Sequence, residues 1–207
     1  MPWPRGHKTR TRERIVKAAA AAFRARGVAG VRVEDVMADA GLTHGGFYAH
    51  FASKDALLGP VLRHASDQTL ESLSSGPATP DGEHRFRAVF DAYLSPEHAA
   101  HPERGCPVAA LGPEIARSGG RPRRELARGI EDRLAWMRQL LPESWHGEQR
   151  EDEVIGALAC MVGGVILGRA VGGKESDELL AACRRFLHRT LDKDARGTAP
   201  RDFGGGR

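Results

Sequence analysis

Two groups of side chains in this sequence are placed for chemistry: a thiol preceded by histidines, and a dense run of cations. Cys106 lies in Arg104-Gly105-Cys106-Pro107, where a helical pattern begins. A thiol at a helix N-terminus beside a guanidinium has its thiolate favoured, which is the setting of a reactive cysteine. His98 and His101 precede it in HxxH spacing. The three residues are therefore weighed as a metal site, or as a thiol enzyme with Cys106 as nucleophile. Pro96 and Pro102 disfavour the regular helix that would align the histidines, and no carboxylate completes a ligand set. No metal is expected. No nucleophile signature or phosphate loop is present either, so neither catalysis nor a cofactor is expected. An inert small residue at a tight turn is the commoner account of such a cysteine, since cysteine is often simply buried.

The cations are concentrated at one end. Arg5, Lys8, Arg10, Arg12 and Arg14 fall within ten positions, opposed only by Glu13. The 207-residue chain carries a net charge of +4, which conceals +6 over residues 1–54 and −2 over the remainder. Such asymmetry marks a polyanion-binding end, although an isolated basic run is more often a solvated terminus.

The elements that must position these groups read as helices. Ile15, Ala18, Ala19, Ala22 and Phe23 recur at helical spacing from Thr11 to Arg26, and Gly27 stops the helix. Val33 leads into a short helix with Glu34 and Asp35 in its first turn, where acids suit the helix dipole, and Gly41 ends it. Thr43 is expected to cap a segment from His44 to Phe51, and Ser53 a longer helix to about Ser74. Beyond a Gly/Pro-rich loop at 74–82 lie a Phe86–Leu94 stripe and an irregular connection from His98 to Gly105. Helices are then expected over Pro107–Arg117, Arg121–Leu141, Glu151–Val171 and Asp177–Leu191. The expected class is all-α, with no strand alternation of useful length.

Val33–Phe51 has two short helices joined by Gly41-Leu42-Thr43, a spacing that suits a steep crossing with glycine at the corner. In a helix–turn–helix unit the second helix enters the DNA major groove. Its outer side here is small and polar: Thr43, His44, Gly45, Gly46, Tyr48 and His50. Phe47 and Phe51 are expected to pack inward on Val36, Ala40 and Leu42. Each glycine weakens the helix by roughly 1 kcal/mol against alanine. Close approach to DNA is one compensation; tight packing in an ordinary helical hairpin is the other.

Residues 11–58, and most specifically Gly46-Phe47-Tyr48-x-His50-Phe51-x-Ser53-Lys54-x-x-Leu57, closely resemble the N-terminal domain of the TetR/AcrR family of repressors. The resemblance implies a three-helix reader at 1–54 with a basic arm at 1–10. A helical effector-binding and dimerisation domain at 55–192 and a disordered tail at 193–207 would follow. It implies a homodimer that binds a palindromic double-stranded DNA operator and releases it when a small-molecule effector binds, hydrophobic or electrophilic in character. A thiol-based redox sensor or small thiol enzyme centred on Cys106 is the alternative.

Carried over residue by residue, the resemblance gives Thr43 a phosphate contact while it caps, and places His44 and Gly45 against base edges, with Gly46 beside them. Tyr48 and His50 match phosphate-contacting positions. Lys54 lies at a helix start where a phosphate is favoured. Arg5, Lys8, Arg10 and Arg12 resemble a flexible minor-groove arm. In the larger domain, Phe86, Phe90, Tyr93, Cys106, Leu111, Trp136, Met137 and Met161 are the expected effector lining. Arg104-Gly105-Cys106-Pro107 also resembles a helix start in members that respond to electrophiles or oxidants. The last two helices match the family's dimerisation pair, with Gly156, Gly163, Gly164 and Gly168 allowing close approach.

An odd count of three cysteines excludes a closed disulfide framework. The start has no apolar h-region, so no secretory signal is expected. The stretch Ile155–Val171 reads as too short and too interrupted for a membrane span. The expectation is a cytoplasmic protein with no membrane partner.

Overall fold

The computed structural model describes residues 6–75, 82–140 and 148–195, and is helical there with no strand. Helix α1 spans His7–Arg26, α2 Val33–Asp39 and α3 Lys54–Ser74, with a 3-10 segment at His44–Ala49 between the last two. The larger body follows as α4 Gly82–Tyr93, α5 Pro96–Ala100, α6 Pro107–Ser118, α7 Gly120–Leu140, α8 Glu148–Val171 and α9 Gly173–Ala195. A 3-10 turn at Pro102–Arg104 joins α5 to α6.

Most punctuation falls where expected. Asp35 in the first turn of α2 accepts the Arg32 backbone N–H at 3.0 Å. Ser53 caps α3, its hydroxyl accepting from Ala56 N–H at 3.1 Å. Pro60 and Pro113 lie inside α3 and α6 without ending them.

Some boundaries differ from expectation. Helix α1 begins at His7, so Lys8 and Arg10 are helical rather than part of a loose arm; Thr11 is already buried and anchors that turn. The 98–105 connection consists of two short turns started by Pro96 and Pro102, since proline suits a first helical position. Helix α9 runs to Ala195, three residues into the expected tail. Arg5 and residues 196–207 lie outside the described residues.

Two cores form. Ile15, Ala19 and Phe23 of α1 gather with Val36, Met37, Phe47, Phe51, Leu57 and Val61. This first core continues into the larger body through Leu111, Ile115 and Leu126. Leu111 therefore buttresses the reader rather than lining a chamber, because α6 packs against α1 and α3. The second core collects Phe86, Phe90, Tyr93, Cys106, Met137 and Met161, with Trp136 packed against it. Each such large side chain contributes on the order of 2 kcal/mol by leaving water.

Helix α8 is apolar on both sides. Val154, Ala157, Leu158, Met161 and Val165 face the core, while Ile155, Ile166, Leu167 and Val171 are exposed. The small residues divide the same way. A Cβ on Gly164 or Gly168 would strike Leu94 or Ser176, whereas Gly156 and Gly163 have open space above them. By length and composition Glu151–Val171 is sufficient to cross a membrane, contrary to the sequence reading, because its glycines barely lower the hydropathy. In the fold it packs along α9.

Candidate nucleic-acid interface and effector chamber

The recognition segment is presented by a rigid corner. Gly41 sits at φ +65°, a left-handed turn that disfavours other residues. Leu42 N–H donates back to Met37 O at 2.8 Å, and the Arg14 guanidinium donates to Ala40 O at 2.6 Å. Phe47 and Phe51 are buried with their rings 5.7 Å apart, on Val36, Ala40 and Leu42 as expected. Tyr48, one residue after the fully buried Phe47, is 62 % exposed.

The segment itself is a 3-10 turn rather than an α-helix, and Gly45-Gly46 disfavour the longer helical form. Thr43 stands at its start in extended conformation, but its hydroxyl makes no capping bond. Thr43, His44 and Gly45 are exposed and Gly46 is half-buried. His44 Nε2 lies 3.4 Å from Glu34 Oε1, and its ring meets Tyr48 edge-on. Nothing stands within 4 Å of where a Cβ would lie on Gly45.

The fold draws the cationic start of α1 alongside this surface. The Arg12 guanidinium lies 4.4 Å from the centre of the Phe51 ring. Burial, reinforced by the positive field of Lys8, Arg12 and His7, holds the His50 pKa below its ordinary value. Lys54 behaves differently. Its ammonium donates to Val31 O at 2.5 Å and sits over the Phe23 ring, so the residue ties α3 to the loop before α2. Sequence reasoning missed Arg14 as a strut and Lys17 as a further cation. Arg10, Arg14 and Lys17 share one face of α1 and line a groove with Arg63 and Arg121. Their i, i+4, i+7 spacing was the available signal.

In the larger body, six expected lining residues (Phe86, Phe90, Tyr93, Cys106, Met137 and Met161) share one core. A cavity of about 260 Å³ opens beside them, lined by Thr69, Ser72, Leu73, Tyr93, His98, His101 and Arg104 among others. Only Tyr93 is common to the two sets, and the cavity wall is more polar than the sequence suggested.

Cys106 is fully buried, and its sulfur is met by Arg133 Nη1 at 3.2 Å. Arg104, the neighbour expected to favour a thiolate, instead pairs with Glu97 at 3.0 Å. Both nitrogens of His98 are committed. Nδ1 bonds Tyr93 O at 2.5 Å, and Nε2 accepts Cys106 N–H at 3.2 Å. His101 faces Glu103 at 3.0 Å. Among the described residues no group of three side chains is arranged to hold a metal.

Gly105 is a junction. Its carbonyl accepts from Arg24 Nη1 at 2.8 Å, linking α1 to the turn before α6. A Cβ there would come within 2.8 Å of His98 Nε2 and 2.9 Å of Arg169 Nη2.

Residues 15–61 match the family model for bacterial regulatory proteins of the tetR family. No curated protein matches the chain at a significant level. Among solved structures, the chain is similar to a TetR transcriptional regulator from Chloroflexus aurantiacus. The two are 26% identical with a TM-score of 0.73, covering 90% of this chain and 96% of that one. A TetR-family regulator from Cytophaga hutchinsonii aligns at 17% identity and TM-score 0.78, covering 90% and 95%. Reduced NemR from E. coli aligns at 19% identity and TM-score 0.73, covering 86% and 96%.

Proposed function

Since the chain belongs to the TetR family of bacterial regulatory proteins, we propose that it is a ligand-responsive repressor that binds a palindromic operator as a homodimer. It is a transcriptional regulator with a helix–turn–helix DNA-binding domain. The observation that carries it is the exposure of Tyr48 and its neighbours on a rigid base beside the cationic face of α1.

On this reading His44 and Gly45 meet base edges in the major groove, with Gly46 letting the backbone approach. Thr43, Tyr48 and His50 contact phosphates. Lys8, Arg10 and Arg12, with Arg5 ahead of them, add sequence-independent attraction from α1. Lys54 contributes positive field while holding the α3 start in place. The reader comprises residues 1–54, and the sensor and dimerisation domain begins within α3.

The exposed face of α8 and α9, with Leu167 54 % and Phe186 55 % accessible, is read as the dimer interface. An apolar face of that extent on a regulator suits an obligate contact better than solvent. A small-molecule effector favours a dimer state whose recognition segments no longer match major grooves about 34–36 Å apart. The enclosed Cys106 sulfur counts against the alternative of a thiol enzyme at that residue.

Selection from a random-sequence DNA pool with the full chain, followed by anisotropy titration, tests the reading. The expected result is an enriched palindrome whose affinity falls with salt at a slope of about −0.9 per phosphate contact. Recovery of unenriched sequences would overturn it.

A further inference from the structure

We propose that the effector carries a carboxylate, seated against Arg133 and Tyr93 in the core of the larger body. The inference rests on the ligand-responsive reading and names the chemical class of its ligand. Arg133 is 1 % exposed, and its single hydrogen bond runs from Nη1 to the Cys106 sulfur. Nε and Nη2 of the same guanidinium are enclosed without a partner. Those two nitrogens form one edge of the planar fork, the edge that grips a carboxylate through two parallel bonds.

The surroundings point the same way. The Tyr93 hydroxyl lies beside the same sulfur, is buried, and makes no well-formed hydrogen bond. Arg169 donates to Ala99 O and His98 O, yet its Nη1 is also buried without a partner. Among the described residues, Arg24, Arg133 and Arg169 enter no ion pair. The carboxylate whose field reaches Arg24 and Arg169 is Glu103, which is already engaged by His101 and Arg104.

Buried cations without a counter-charge, and buried donors without acceptors, are each costly, and proteins seldom keep them without use. One carboxylate answers both, accepting from the Arg133 edge and from Tyr93. The 260 Å³ cavity has Tyr93 but not Arg133 on its wall, and its one carboxylate, Glu97, is paired with Arg104; its volume admits a small aromatic or short aliphatic acid that reaches Arg133 past Tyr93. The same cluster reaches the reader, because Gly105, adjacent to Cys106, holds Arg24 of α1.

The test uses the full-length protein with benzoate and hexanoate as probes and benzamide and hexanamide as neutral isosteres, read by calorimetry and thermal melting without DNA. At least one acid is expected to bind tenfold or more tighter than its amide and to raise the melting temperature. Tyr93→Phe removes a hydroxyl that makes no well-formed hydrogen bond, so melting of the free protein stays nearly unchanged while acid affinity falls several-fold. Arg133→Lys keeps the charge but loses the fork, and affinity falls at least tenfold. Acids that bind no better than their amides, or a Tyr93→Phe variant with undiminished affinity, would overturn the proposal. Operator anisotropy on the same samples separates the two readings. Acid binding without DNA release supports the site and counts against the repressor reading. DNA binding with no preference for acids overturns the site alone.

Discussion

The Arg24 guanidinium of the first helix donates to the Gly105 carbonyl at 2.8 Å, across 81 positions of sequence. Arg24 also donates to Gln68 Oε1 at 2.7 Å and to Ala20 O at 3.0 Å, so one side chain joins α1, α3 and the turn before α6. Burial draws its pKa down to about 10, still far above neutrality, so it remains a cation throughout the physiological range. The residue next to Gly105 is Cys106, whose sulfur meets Arg133. The reader is thus bonded to the core of the larger body through two consecutive residues.

Arg24→Met keeps the length of the side chain and removes its three bonds. The expected loss is about 2 kcal/mol of unfolding free energy, measured in urea, since hydrogen bonds from a charged group are worth roughly that. Effector-induced release of DNA should weaken more than DNA binding itself, which anisotropy with and without effector checks.

Tyr48 and Lys54 should separate DNA recognition from structural support. Tyr48→Ala removes an exposed ring, so stability is expected to stay within about 0.5 kcal/mol of the parent. Affinity for operator and random DNA should fall together if Tyr48 contacts a phosphate, with the salt slope unchanged, because a neutral hydroxyl releases no counterion. Lys54→Met removes a donor to Val31 O and a cation over Phe23, and is expected to cost about 1 kcal/mol of stability besides weakening DNA binding. Equal melting temperatures for parent and Lys54→Met would show that the ammonium carries no structural role.

Leu167→Glu and Phe186→Glu place a charge on the exposed apolar face of α8 and α9. Light scattering is expected to report monomers in place of dimers, and operator affinity to fall more than tenfold, because a palindrome rewards two linked readers. A charged variant that remains dimeric would move the interface elsewhere.

Acid should destabilise the protein through its histidines. Burial holds the His98 pKa below the ordinary 6.5, opposed by its bond to Tyr93 O and reinforced by Arg169, Arg133 and Arg24. A depressed folded-state pKa means that the stability is fully present above about pH 6.5 and is lost as pH falls toward the folded value. Urea unfolding from pH 8 to 5 should show this decline, with a shallower slope in His98→Gln. His50 and His64 shift in the same direction, also by burial first, and leave a residual slope in that variant.

Much of the architecture could be read along the chain. Helix order, the Ser53 cap, the Gly41 corner and the inward pair Phe47 and Phe51 all follow from interactions spanning a few residues. Phe86, Phe90, Met137 and Met161, expected as effector lining, share one core, and that they pack together depends on how their helices meet. Leu111 shows the limit: its spacing marks it as buried, but only the crossing of α6 on α1 and α3 assigns it to the reader.

What the sequence alone determined was the reader: a corner, a small polar recognition face and a cationic approach, because caps, turns and helix faces are set by neighbours in the chain. The tertiary structure alone decided the pairing of charges. Cys106 meets Arg133, 27 positions away, rather than Arg104, two positions away. Lys54 turns inward to Val31, and Arg24 reaches Gly105. Long cationic side chains can reach many partners, and the partner each one finds depends on how helices cross, which no local spacing encodes.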